Sequence, residues 1–168
     1  MTRRLDWKAA VWAGLIAGAV FLILEMAMVA FIQGMSPWGP PRMMAAMAMG
    51  EGVLPPPPDS GAMPTFDVGV MMVAMMVHFV LSIVMGFIFA IAHTLLNMSL
   101  ATSIVAGTIF GLAIYYIDFY IFTAVFPWFA MARGMVSIVG HAVFGLVLGW
   151  AYHALARPRF GAGEAVAG

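Results

Sequence analysis

Four residues of this chain, Glu25, His78, Asp118 and His141, carry ionisable chemistry inside long hydrophobic runs. A carboxylate facing lipid at mid-membrane costs at least ~2.5–3.5 kcal/mol, so such residues mark a packed interior or a site. Their spacing is patterned. Ala13-Gly14-Leu15-Ile16-Ala17-Gly18 followed by Glu25 matches Ala106-Gly107-Thr108-Ile109-Phe110-Gly111 followed by Asp118 at a constant offset. In the same way His78-Phe79-Val80-Leu81 running to Gly86 matches His141-Ala142-Val143-Phe144 running to Gly149. The chain reads as two parallel two-helix pseudo-repeats, each with one carboxylate and one imidazole.

Each helical residue turns the chain by ~100°, so Gly14, Gly18 and Glu25 share one stripe, as do Gly107, Gly111 and Asp118. Small residues at this spacing let membrane helices approach closely. The stripes therefore predict contact between the helices that carry them, or with their symmetry partners, and they offer a face for a homodimer. Both acids then point into packed protein. With ~1.5 Å of rise per residue and a ~30 Å hydrocarbon core, all four residues fall in the outer half of the membrane, one from each helix.

Three chemistries fit such a cluster. It is a hydrogen-bonded plug that fixes helix register, or a site for a proton or a divalent cation, or part of a b-type haem centre. Two carboxylates and two imidazoles suit Zn²⁺, Mn²⁺ or Fe²⁺, or a proton relay, although no His-Glu-x-x-His spacing is present. In the haem reading His78 and His141 are axial ligands of one haem, and His93 and His153 of another. Unequal spacings within the two helices weigh against it and place His93 and His153 at the inner interface. Tyr115 lies near enough to Asp118's face to donate to it. Arg42 and Arg133 each follow a proline-tryptophan corner, as interface anchors or guards of an outer mouth. The seventeen methionines, Met43, Met44, Met47 and Met49 among them, offer soft thioether ligands for Cu(I). Their scatter favours the other use of methionine, as flexible apolar filler.

The elements that must position these residues follow from composition. With 64% hydrophobic and 8% charged residues and a mean hydropathy of +1.04, a water-soluble fold is excluded. Crossing a bilayer takes ~20 apolar residues, and four segments qualify, at about 9–32, 69–95, 101–126 and 134–156. Residues 1–168 make a single membrane domain: repeat 1 over about 9–95, with a long outer loop at 34–68, and repeat 2 over about 101–156. Short links after the second and third spans predict antiparallel neighbours. Pro41 suits a first helical turn, so residues 41–49 form a short outer-leaflet amphipathic or re-entrant helix, followed by an extended spacer at Pro55–Pro58.

The first apolar run is about twice as long as the 7–15 residues of a signal's core, and it is read as a retained helix. Arg3, Arg4, Lys8, Arg157 and Arg159 oppose Arg42 and Arg133 across the membrane, which predicts both termini in the cytoplasm. Trp7, Trp12, Trp150 and Tyr152 would anchor the inner interface, Trp38 and Trp128 the outer. The absence of cysteine removes disulfides, thiolate sites and c-type haem attachment. Zero net charge gives no footprint for nucleic acid. No nucleophile with an adjacent base and no phosphate loop is present, which points away from an enzyme.

Two further stretches carry a resemblance. Val77-His78-Phe79-Val80-Leu81-Ser82-Ile83-Val84, Gly140-His141 and the order of four spans with a proline-rich first outer loop resemble small bacterial inner-membrane proteins of the YagU type. Ser36-Pro37-Trp38-Gly39-Pro40-Pro41-Arg42 resembles a set of short proteins often labelled sodium:proline symporter. Such symporters are large inverted-repeat bundles with broken helices, which four spans in parallel repeats cannot make alone. The resemblance implies fold and location and no particular activity. The expectation is an all-α integral membrane protein of the bacterial inner membrane with a buried His/carboxylate site, used in transport or ion homeostasis. A scaffold or accessory subunit of a larger membrane complex and a haem electron carrier are the alternatives.

Overall fold

A computed structural model describes residues 5–156. Arg3, Arg4, Arg157 and Arg159, four of the cations behind the expected orientation, lie outside the described residues. Among those described, the chain is helical, with no strand. Its α-helices are α1 (Trp7–Phe31), α2 (Gly39–Met49), α3 (Val68–Leu95), α4 (Leu100–Tyr116) and α5 (Met135–Leu155). A π-helical turn, Ile117–Ile121, and a 3₁₀ turn, Phe122–Ala124, extend α4. Four helical stretches, Trp7–Phe31, Val68–Leu95, Leu100–Ala124 and Met135–Leu155, are long and apolar enough to cross a membrane.

The helix starts are written in local chemistry. Asp6 accepts a bond from the Ala9 amide at 3.0 Å, Asp67 from Val70 at 2.9 Å, and Ser99 from Thr102 at 3.2 Å. Each satisfies an amide that the first turn leaves without a partner. Helix α2 carries prolines in its first turn and ends at Gly50, whose φ of 84° suits glycine.

Packing departs from the expected arrangement. Helix α5 packs on α4 on one side and on α1 on the other, and α1 packs in turn on α3. Helices α3 and α4, joined by a short link, were expected to be full neighbours; their backbones hardly approach one another. They meet through the rings of Phe89 and Phe110, 5.8 Å apart, toward the end where they are joined. The two then form a V around α1 and α5.

Glycine explains that geometry. A Cβ on Gly107 would strike the Gly145 carbonyl, on Gly111 the His141 carbonyl, and on Gly149 the Ser103 carbonyl. On the other side, a Cβ on Gly14 would strike the Ser82 carbonyl and one on Gly86 the Ala10 carbonyl. The stripes of α1 and α4 thus pack on α3 and α5, not on each other. Ala9, Ala10, Ala13 and Ala17 of α1 complete the core with Phe89, Phe144 and Leu148. Tyr152 corrects another expectation. It is 1% exposed, and its hydroxyl lies 3.4 Å from the Asp6 amide and 3.4 Å from Thr94, so it is a core residue. Trp7, Trp12 and Trp150 are exposed.

Replacing Gly111 with alanine should destabilise the protein in detergent by ~1–3 kcal/mol, the cost of overpacking a filled contact. Gly52→Ala, where a Cβ meets nothing within 4 Å, should stay within about 0.5 kcal/mol of wild type. Equal melting of the two variants would remove the packing argument.

Candidate functional site

The open end of the V is a cavity of about 100 Å³, and Glu25, His78, Asp118 and His141 all line it. That volume accommodates several waters at roughly 10–15 Å³ of accessible space for each. Glu25 comes from α1, His78 from α3, Asp118 from the π-helical turn after α4, and His141 from α5. Such single turns interrupt α-helices frequently at functional sites.

The four share a cavity but do not form one bonded cluster. His141 Nε2 lies 3.4 Å from Asp118 Oδ2, with the Asp118 side chain 33% exposed. Phe21 stands among the rings: its centroid is 5.7 Å from that of His78 and 4.8 Å from that of His141. Gly140 makes room for it, since a Cβ there would meet the Phe21 ring at 3.1 Å. Among the described residues no three His, Asp or Glu side chains gather closely enough to hold a metal ion. The two carboxylates and two imidazoles named for Zn²⁺, Mn²⁺ or Fe²⁺ thus line one cavity without closing into a single group.

The haem geometry fares no better. His93 Nε2 lies 3.2 Å from His153 Nδ1, which leaves no space for a porphyrin between the rings. These residues are 1% and 7% exposed, a buried pair joining the last turns of α3 and α5.

Hydrogen-bond roles fix where protons can sit. His141 Nδ1 lies 2.7 Å from the Ser137 carbonyl. A carbonyl only accepts, so Nδ1 carries hydrogen and the neutral ring keeps its lone pair on Nε2, toward Asp118. A hydrogen bond there requires one proton, on the imidazole or on the carboxyl; without it lone pair faces lone pair. Ser137 Oγ presents a similar count. It lies 2.8 Å from the Ala132 carbonyl and 3.3 Å from Glu25 Oε1, with one hydrogen to give. When that hydrogen goes to Ala132, a bond to Glu25 needs a proton on the acid.

The supporting residues stand elsewhere. Tyr115 sets its ring edge-on to His141 with centroids 5.8 Å apart. Arg42 donates from Nε and Nη2 to the Thr65 carbonyl and from Nη1 to that of Val53, pinning the long connection. Arg133 donates from Nε to the Phe119 carbonyl at 2.6 Å and lies 4.5 Å over the Tyr120 ring. Neither arginine lines the cavity. Sequence reasoning missed Ser137 and Phe21, although each lies one helical turn before a residue it singled out, His141 and Glu25. Nothing in the residue types announces the π-helical turn.

Arg133 thus holds the turn that presents Asp118. Arg133→Leu should cost ~1.5–3 kcal/mol, the worth of a hydrogen bond to a charged group, read as a lower melting temperature in detergent. Arg133→Lys, which lacks the planar fork, should fall between. Wild-type melting for the leucine variant would contradict the pinning role. Compared with protein-family models, curated proteins and solved structures, the chain matches none, so its functional reading rests on geometry.

Proposed function

We propose that the chain is a small multi-pass protein of the bacterial inner membrane, used in transport or ion homeostasis, whose working part is a protonatable His–carboxylate cavity. The observation that carries this reading is the His141–Asp118 contact. Its hydrogen-bond roles admit a bond only when one proton lies between the two groups. Glu25, through Ser137, provides a second place for a proton on the same cavity. Ionisable residues at such depth mark proton and ion pathways.

Two pseudo-repeats account for the paired site. The support is a contact pattern that follows the sequence offsets: Gly14 meets Ser82 where Gly107 meets Gly145, and Gly86 meets Ala10 where Gly149 meets Ser103. In this reading α2 lies in the outer leaflet, where its Ala45 packs with Val70 and Ala74 of α3. The lysine and arginine bias places both termini in the cytoplasm, and lipid is the partner of the exposed apolar faces.

Purified protein should take up a proton when the Nε2–Oδ2 bond forms, because the protonated form alone makes that bond. Asp118→Asn supplies a permanent amide donor to His141 and should abolish that uptake while keeping the fold; Glu25→Gln should remove the second component. Infrared titration of the carboxyl band, alongside proton flux into proteoliposomes, makes the measurement. Identical titrations for wild type and both amide variants would leave the cluster as a structural plug.

A further inference from the structure

Three methionines that look like filler in sequence line the cavity in the fold. Met44 and Met47 come from α2, and Met85 comes from α3. Met85 lies seven residues beyond His78, on nearly the same helix face but ~10 Å farther along the axis, so it lines the cavity at another level. His78 and Met44 also line a second, smaller cavity of about 20 Å³, together with Met75. Imidazole and thioether groups thus stand between two spaces.

His78 is prepared for a ligand. Its Nε2 lies 2.9 Å from the Gly18 carbonyl, so Nε2 carries hydrogen and the lone pair of the neutral ring is on Nδ1. Among the described residues no protein hydrogen bond reaches Nδ1, and no buried polar side-chain atom is sealed without a partner. Nδ1 therefore opens on free space. Metal-binding histidines are oriented in this way, with the other ring N–H given to a carbonyl that fixes the tautomer.

We propose that this wall of the cavity binds a soft monovalent cation, Cu(I) or Ag(I), through the thioethers of Met44 and Met47 and Nδ1 of His78. Thioether and imidazole ligands select soft ions, whereas Zn²⁺, Mn²⁺ and Mg²⁺ draw on thiolates, imidazoles and carboxylates. No three groups of the His, Asp and Glu kind gather among the described residues, so the wall discriminates against the harder ions. Methionine's three rotatable bonds let the sulfurs close on an ion without moving the helices. The site uses neither Glu25 nor Asp118, and it does not depend on the proton-handling role.

The test is titration of the purified full chain in detergent with Ag(I), a redox-stable probe, in chloride-free buffer against a competing chelator. Wild type should bind Ag(I) stoichiometrically. The double variant Met44→Leu/Met47→Leu, close in volume, should bind at least ~10-fold more weakly, by the scale of losses on disturbing a metal site. Met43→Leu, on the same helix but buried off the cavity, should bind as wild type. Glu25→Gln and Asp118→Asn should also keep full Ag(I) affinity, so this result stands or falls apart from proton uptake. Absent stoichiometric binding, wild-type affinity in the double variant, or an equal loss in Met43→Leu would each overturn the proposal.

Discussion

Backbone-to-backbone contact at glycine is the constraint on which this molecule depends. Gly107, Gly111, Gly145 and Gly149 set α4 and α5 so close that a single added carbon on any of them would meet a carbonyl of the facing helix. Gly14 and Gly86 do the same for α1 and α3. In lipid no hydrophobic effect drives helices together, and close van der Waals packing takes over that role. Two tight pairs joined along α1 and α5 leave α3 and α4 without a common seam. The cavity is the space that this choice of partners leaves open, and the polar residues occupy it because the glycine faces have no room for them.

Polar groups in that space follow strict hydrogen-bond arithmetic. Ser137 touches both halves of the arrangement, its carbonyl accepting from His141 and its hydroxyl lying beside Glu25. One residue of α5 therefore links the acid of α1 to the imidazole that meets Asp118. Phe21 keeps His78 out of this linkage. His78 instead uses its N–H on the Gly18 carbonyl, which is why its chemistry turns toward the methionines.

Much of the architecture was legible because membrane spans and small-residue stripes are properties of composition and spacing. The approximate lengths of the spans and the short helix after Pro40 follow from local rules. Which stripe meets which helix did not follow, since a stripe declares a capacity for close approach and names no partner. Tyr152 and His153 near the end of α5 read as interfacial from their position, yet α5 is central and buries both. Glu25, Asp118, His78 and His141 were found from their cost in an apolar run. Met44 and Met47 were legible only as soft ligands or filler among many methionines, because nothing in their spacing shows that they share a cavity with His78.

The position of α5 bears on biogenesis. Helix α1 emerges from the ribosome before α5, yet it packs broadly on α5 as well as on α3. Glu25 waits for Ser137, and the Asp6 amide at the start of α1 waits for the Tyr152 hydroxyl. During synthesis α1 therefore resides in the bilayer with its carboxylate exposed, at a cost of at least ~2.5 kcal/mol if ionised. Its long apolar run must hold it there until α5 joins it.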